Sequence, residues 1–166
     1  LKAPGNAKGF KFRFKFFSKE YPAYVCGSYN DFFLALTNAK SEEIPADHNI
    51  SFDKNHNPVS VNNAFFTECD KDACKKEKGC SDCQDGSDNI LAYVNDPKQA
   101  GATGWLQTSV PVSGNEEFTL DLIIFDAGDR GGKKNGWGHQ RDSLVLMDDF
   151  EWTFDSTKLE TVTIIN

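Results

Sequence analysis

The most regular pattern of hydrophobic and polar positions lies near the N-terminus. Over residues 10–16, FKFRFKF, every second residue is Phe and the residues between are Lys or Arg. A period of two places all Phe side chains on one face of an extended strand and all basic side chains on the other. The segment therefore predicts a β-strand with one apolar and one basic face.

Weaker patterns of the same kind recur along the chain. We predict further strands at Asp31–Leu36, Asn49–Phe52, Val59–Val61, Trp105–Val110, Glu117–Asp126, Ser143–Trp152 and Glu160–Ile165. Turn-forming residues at 55–58 (NHNP) predict that residues 49–61 form a hairpin. Helix is expected for at most a turn or two, near Asp96–Ala100. Short strands separated by Gly, Asn, Pro and Asp predict an all-β fold, an antiparallel β-sandwich of jelly-roll type.

The charges of two predicted strands suggest how they pair. The basic face of residues 10–16 and the acidic side chains of Glu117 and Asp121 would be favourable cross-strand neighbours. Such pairs contribute only a few tenths of a kcal/mol to about 1 kcal/mol each, so they would select a pairing rather than stabilise the fold.

Length and composition limit the classes of function. A chain of 166 residues corresponds to one domain, and its 14 Phe, 3 Trp and 4 Tyr supply a core that suits sheets. The net charge of −7 argues against nucleic acid or an anionic membrane as a partner. No segment approaches the ~20 apolar residues of a membrane span. Because the chain begins at Leu1 without a signal-peptide pattern, we interpret it as a processed product or a trimmed piece.

The cysteines indicate an oxidising compartment. Four of the five lie within fifteen residues of a loop-like stretch, and the full set is Cys26, Cys69, Cys74, Cys80 and Cys83. We expect disulfides that cross-link this long loop in a secreted protein. A zinc site with four thiolates is the alternative, although the spacings lack the paired C-x2-C motifs of zinc ribbons. The odd cysteine, Cys26, either joins the cluster or remains a thiol.

Acidic and amide side chains next to apolar strands predict a calcium site. Ca²⁺ prefers several oxygen ligands from carboxylates, amides and carbonyls in loops. The candidate ligands are Asn30, Asp31, Asp126, Asp129, Asp142 and Asp148. Ordinary hydrogen bonds to loop amides are the alternative for these carboxylates.

The segment 127–141, AGDRGGKKNGWGHQR, is a candidate contact surface. It carries five Gly and Trp137, and a long loop of this composition is often functional. Trp137 could stack on a sugar or a partner chain, or it could cover the end of the sandwich.

The sequence lacks the motifs of the common hydrolases. Neither G-x-S-x-G nor H-E-x-x-H occurs, and the three histidines lie in polar, turn-like contexts. We therefore expect that the protein is not an enzyme. A glycosidase pair of carboxylates is the remaining catalytic alternative, because an acidic chain offers many such pairs.

Several segments, taken together and in order, resemble the choice-of-anchor L domain family of secreted and surface proteins of bacteria, common in myxobacteria. They are FKFFSKEYPAYVCGSYNDFFLAL, NISFDKNHNPVSVNNAFFTEC, GATGWLQTSVPV, FTLDLIIFDAGD and DSLVLMDDFEW, within residues 10–152. Two features depart from the family pattern: a long glycine-rich insert between Asp129 and Asp142, and an additional strand-like segment in residues 153–166.

The resemblance implies an exported module. We expect it to form one domain over residues 1–166. We expect a calcium-stabilised recognition or adhesion module that binds an extracellular glycan or protein with its Trp137 end. The alternative is a self-assembling filament subunit whose copies exchange a terminal strand, either residues 10–16 or 160–165.

Overall fold

The computed structural model describes residues 1–22, 24–25, 30–62, 65–69, 84–85, 100–125, 127 and 143–164. Ten strands lie in these ranges. They are β1 (Gly9–Ser18), β2 (Phe32–Thr37), β3 (Val59–Ser60), β4 (Phe66–Cys69), β5 (Gln84–Asp85), β6 (Gly101–Thr103), β7 (Leu106–Pro111), β8 (Leu120–Phe125), β9 (Ser143–Thr153) and β10 (Glu160–Thr163).

Strand β1 is the centre of the larger sheet, and its alternating pattern explains why. Its four alternating Phe side chains are fully buried, as the sequence predicts, while Lys11 and Arg13 lie on the other face and are partly exposed. One edge of β1 pairs with β9 along its whole length. The other edge pairs with β7 and then with β6.

Further strands extend this sheet away from β9. Strand β10 pairs antiparallel with β7, so the additional C-terminal segment joins the sheet of its own chain. Strand β6 pairs antiparallel with β4, which pairs in parallel with β5. Seven strands of the described residues belong to this sheet.

The smaller sheet contains β3, β2 and β8 in that order, among the described residues. Phe14 of β1 and Phe33 of β2 meet between the two sheets, with ring centroids 4.6 Å apart. Both belong to one hydrophobic core, which also includes Ile50 and Leu106. The described residues are thus all-β, with mainly antiparallel sheets and no helix, and the two sheets pack across a common core as in a β-sandwich.

The hairpin predicted over residues 49–61 is confirmed at its turn, but most of its two arms pairs with β2. The antiparallel bridge between Phe52 and Pro58 joins the two arms, and the N–H of Asp53 donates to the carbonyl of Asn57 at 2.9 Å within the predicted turn. Val59 pairs instead with Phe33, and Asn49 forms a bridge with Leu36. The edge of β2 that does not pair with β8 is longer than either arm, so both arms lie against it.

The predicted partner of the basic face is wrong. Lys11 Nζ lies 3.0 Å from Glu151 Oε2, and Arg13 Nη1 lies 2.8 Å from Asp149 Oδ2, both on β9. Glu117 pairs with Lys2 instead, at 3.0 Å. Asp121 lies opposite Leu36 in the smaller sheet, so it shares no edge with β1.

Several sequence predictions fall outside the described residues. These include the disulfide or zinc cluster, because only the backbone of Cys69, at the end of β4, is described. The remaining cysteines and residues 96–99 lie outside the described ranges, namely Cys26, Cys74, Cys80 and Cys83. Within the described ranges, no helix is long and apolar enough to cross a membrane.

Candidate functional site

Asp31 is the centre of the candidate site. It lies directly before β2 and is almost fully buried. Its Oδ2 accepts a hydrogen bond of 2.6 Å from the hydroxyl of Ser143, and its Oδ1 accepts one of 3.4 Å from the N–H of Ala127. A buried carboxylate needs such donors, since an isolated charge in the interior is very costly.

The topology of the two sheets brings these residues together. Phe32 lies opposite Phe125, so the start of β2 meets the end of β8. Ser18 lies opposite Ser143, so the end of β1 meets the start of β9. The carboxylate of Asp31 therefore joins the larger sheet to the smaller one at the end where these four strands meet.

A second buried carboxylate, Glu20, belongs to the same site. Its Oε2 accepts a hydrogen bond of 3.0 Å from the backbone N–H of Asp31. Its own N–H donates to Ser18 Oγ at 3.1 Å. Sequence reasoning missed Glu20, because a single Glu after a strand resembles any solvated loop residue. The only available signal is that it stands between a Phe-rich strand and the aromatic pair Tyr21 and Tyr24.

Asn30 supplies a third polar side chain. Its backbone N–H donates to the carbonyl of Ala127 at 3.2 Å. Its Oδ1 is buried and has no hydrogen-bond partner among the described residues. A buried acceptor without a donor is destabilising, so this atom is suited to a cation or to water.

Aromatic side chains adjoin Glu20 on the sheet side. Tyr21 stacks on Phe66 with ring centroids 4.8 Å apart. Burial raises the pKa of the Tyr21 hydroxyl above its ordinary value, so the side chain is neutral at physiological pH. Tyr21 and Phe66 are both buried, so this side of the site is apolar and strengthens electrostatic interactions there.

The structure places the predicted calcium ligands in two groups. Asn30 and Asp31 lie next to each other at the site. Asp148 does not join them, because it lies five positions after Ser143 along extended β9, about 16 Å away. Its Oδ1 accepts the N–H of Asp149 at 2.8 Å on the exposed strand.

The other predicted site residues lie outside the described residues, namely Asp126, Asp129, Asp142 and Trp137. Two of them adjoin the site in sequence, because Asp126 precedes Ala127 and Asp142 precedes Ser143. Within the described part of the chain, no three His, Cys, Asp or Glu side chains form a group that could hold a metal.

Comparison with known families agrees with the resemblance seen in the sequence. The family model described as Choice-of-anchor L domain matches residues 5–148, most of the chain. The match includes both carboxylates of the candidate site and ends within β9. No curated protein and no solved structure matched the chain.

Proposed function

Since this chain belongs to the choice-of-anchor L domain family, which indicates a module of secreted or surface-anchored bacterial proteins, we propose that it is a non-catalytic recognition or adhesion module organised by calcium. The calcium site lies around Asp31, where the two sheets meet. The absence of hydrolase motifs from the sequence supports a binding role over a catalytic one.

The observation that carries this proposal is the environment of Asp31. Two buried acidic residues meet here, since Glu20 Oε2 accepts from the backbone N–H of Asp31, and the buried Oδ1 of Asn30 has no partner among the described residues. Ca²⁺ takes six to eight oxygen ligands and tolerates irregular geometry. A cation would compensate the buried carboxylate of Asp31 and coordinate the amide oxygen of Asn30.

The covalent neighbours of this site supply candidates for the other ligands. Ala127 and Ser143 both donate to Asp31, and each follows an aspartate directly in the sequence. Asp126 and Asp142 are therefore the preferred additional ligands of the proposed site. Asp129 is a weaker candidate, because two residues separate it from Asp126.

Calcium at this position would act on the contact surface through the segment 126–142. Both ends of that segment adjoin residues that donate to Asp31. Neutralising the buried charge would strengthen the hold on Ala127 and Ser143 at the two ends of the segment and so reduce the entropy cost of binding a partner. Trp137 in this segment is the proposed contact for a glycan or protein ligand.

The test is calcium titration of the protein after treatment with a chelator. We expect heat of binding in calorimetry and a higher Tm with Ca²⁺ than with chelator, since a ligand that binds only the folded state stabilises it. Asp31→Asn, Asp126→Asn and Asp142→Asn should each weaken Ca²⁺ binding at least tenfold. Asp148→Asn is the matched control and should leave binding unchanged.

Two outcomes would contradict the calcium proposal. One is no heat of binding together with equal Tm values in Ca²⁺ and chelator. The other is calcium binding that survives Asp31→Asn but is lost in Asp148→Asn. The second outcome would assign the ion to the exposed face of β9.

A second candidate function, a subunit of an extracellular filament, is favoured by the order of the strands. Strands β10 and β9 lie at opposite edges of the run β10-β7-β1-β9. Neither has a second partner strand among the described residues. Pairing of β10 in one copy with β9 in the next would continue the sheet from copy to copy and generate an open filament. Exchange of β1 is disfavoured, because its side chains form the centre of the core.

Negative-stain electron microscopy with calcium and with chelator distinguishes the two candidates. Filaments that disappear when residues 160–166 are deleted would favour the filament subunit. Dispersed particles at high concentration, unchanged by this deletion, would favour the recognition module.

A further inference from the structure

Among the described residues, the two sheets leave one side of their shared core open, between β8 and β9. Leu122 and Ile124 of β8 lie opposite Ala35 and Phe33 of β2, whose side chains are buried in the core. Directly opposed residues of an antiparallel pair project to the same face. Leu122 and Ile124 therefore also face the space between the sheets.

Strand β9 borders the same space from the larger sheet. Met147 lies opposite Phe14, and the ring of Phe150 lies 5.4 Å from that of Phe10. Both side chains thus adjoin the Phe face of β1. The inward-facing residues Leu122, Ile124, Met147 and Phe150, here called the seam, are nevertheless 45, 46, 40 and 42 % exposed.

The seam is closed at both ends, so its length is defined. At one end, Asp31 holds Ala127 and Ser143. At the other end, Phe118 and Trp152 meet edge to face with centroids 6.2 Å apart. The open part between them covers about four to six residues of each strand, or roughly 13–20 Å, which is the length of a short β-strand.

The backbone beside the seam can accept another strand. Among the described residues, β8 pairs only with β2 and β9 only with β1. Each therefore has an outer edge whose N–H and C=O groups make no ladder within these residues. An added strand would bond to such an edge and place alternate side chains in the seam. A contiguous exposed apolar surface of this kind typically marks a binding site.

The charges on the outer faces indicate the chemistry of the partner. Asp121 of β8 and Asp148 of β9 are exposed beside the seam. Two neighbouring acids of β9 already pair with basic residues of β1, Glu151 with Lys11 and Asp149 with Arg13. The edge of β9 that pairs with β1 thus already binds a strand in which apolar residues alternate with Lys and Arg.

We propose that the seam binds an extended segment of another polypeptide in which apolar side chains alternate with Lys or Arg. The apolar side chains would cover Leu122, Ile124, Met147 and Phe150, and the basic ones would face Asp121 and Asp148. A second copy of this chain fits less well. Its own exposed edge strand β10 begins with Glu160 and would bring another negative charge towards these acids.

The probe is a labelled synthetic peptide with the sequence of β1, GFKFRFKFFS, measured by fluorescence anisotropy. We expect saturable binding that weakens with added salt. A peptide of scrambled sequence and one with Glu in place of each basic residue should bind at least tenfold more weakly. A peptide whose backbone N–H groups along one edge are N-methylated cannot donate hydrogen bonds there, so its affinity should also fall at least tenfold. The peptide variants leave the protein unchanged, so their results do not depend on the folding of a mutant.

Variants of the protein locate the binding surface. The double variant Leu122→Ser/Ile124→Ser should bind the β1 peptide at least tenfold more weakly. Val162→Ser is the matched control and should bind normally, because Val162 is 40 % exposed but lies on β10. The double variant Asp121→Asn/Asp148→Asn should reduce both affinity and its salt dependence. Circular dichroism and thermal unfolding would show that each variant is folded.

Three results would overturn the proposal. The first is equal binding of the β1 and scrambled peptides. The second is sedimentation velocity that shows a dimer dispersed by Leu122→Ser/Ile124→Ser, which would assign the seam to a second copy. The third is binding to neutral phospholipid vesicles, lost in the same variant, with no peptide binding. None of these results depends on calcium, so failure here is separable from failure of the calcium proposal.

Discussion

The hydroxyl of Ser143 lies 2.6 Å from Oδ2 of Asp31 and joins the first residue of β9 to the residue before β2. These residues belong to different sheets, so the bond connects the sheets directly at one end of the sandwich. Strands β8 and β9 belong to separate sheets, and the seam lies between them, next to this bond. One buried carboxylate thus borders both the proposed calcium site and the proposed peptide site.

The first prediction concerns the contribution of this bond to stability. In the presence of chelator, Ser143→Ala should lower the free energy of unfolding by about 1–2 kcal/mol, because it leaves a buried carboxylate oxygen without its donor. Asp31→Asn should lower it by about 1–3 kcal/mol, since the charge-assisted bonds are lost. Urea unfolding measures both values.

Asp155→Asn is the control for this prediction. Asp155 is exposed, so the substitution should change the free energy of unfolding by less than about 0.5 kcal/mol. If Ser143→Ala also fell within that range, the bond would not hold the two sheets together.

The second prediction compares two Phe side chains in different environments. Phe14→Ala should lower the free energy of unfolding by about 3–5 kcal/mol, because it leaves a cavity between the sheets beside Phe33. Phe125→Ala should lower it by only about 1 kcal/mol, since Phe125 is half exposed and mainly stacks on Phe32. Equal losses in urea unfolding would contradict the assignment of the core.

Sequence periodicity identified the strands much better than it identified their partners. The alternation over residues 10–16 predicts β1 because each of its Phe side chains faces the core. The pairing of β1 with β9 depends on residues more than 100 positions apart, and no local pattern encodes it. The pairing of Val59 with Phe33 was not predicted, for the same reason.

The candidate site shows the same limit at the level of single residues. Asp31 was predicted because a carboxylate next to the apolar run FFLAL needs compensation. Glu20 was missed, because its burial results from the packing of the two sheets and not from its own neighbours in sequence. Asp148 has an equally acidic context, but lies on an exposed strand remote from Asp31.

The seam could not be predicted from the sequence, for a further reason. The run LDLIIF is typical of a buried strand, and yet β8 is largely exposed. The hydrophobic pattern indicates which side chains could be buried. It does not indicate whether other residues of the same chain pack over them. The exposure of Leu122 and Ile124 follows from the edge position of β8 in its sheet.

The third prediction concerns a β-bulge in β9. Asp149 and Phe150 together lie opposite Phe12, and Asp149 has φ of 49°, in the left-handed region. Asp149→Gly and Asp149→Ala both remove the ion pair with Arg13. Because only glycine adopts this φ without strain, the Gly variant should be more stable than the Ala variant by about 1–2 kcal/mol.

In a regular strand the order of stability would be the reverse, because a Gly variant is there less stable than an Ala variant by about 0.5–1 kcal/mol. Thermal unfolding of the two variants side by side therefore tests the bulge without reference to the ion pair. An Ala variant that is more stable than the Gly variant would show that residue 149 adopts ordinary strand geometry in solution.

The fourth prediction concerns the turn that follows Phe52. The Asp53 carboxylate accepts hydrogen bonds from the N–H groups of Asn55 and Asn57, at 2.8 and 3.0 Å, and from the Asn57 side-chain amide at 3.1 Å. Burial raises the pKa of Asp53, but these bonds and the nearby charge of His56 together outweigh it, so the pKa is lowered. A titration of the carboxyl carbon followed by NMR should therefore have its midpoint below the ~3.9 of an unfolded chain.

The sign of the effect on stability follows from this direction. Because the folded state binds the proton less tightly than the unfolded state, Asp53 contributes its full stabilisation above pH ~3.9. The contribution is lost as the pH falls through the lower pKa of the folded state. Asp53→Asn should therefore be less stable than the native chain at pH 6, and the difference should shrink as the pH falls below ~3.9. Urea unfolding at both pH values, with Asp155→Asn as the control, measures this convergence, and a difference that stays constant with pH would mean that the Asp53 carboxylate does not hold the turn.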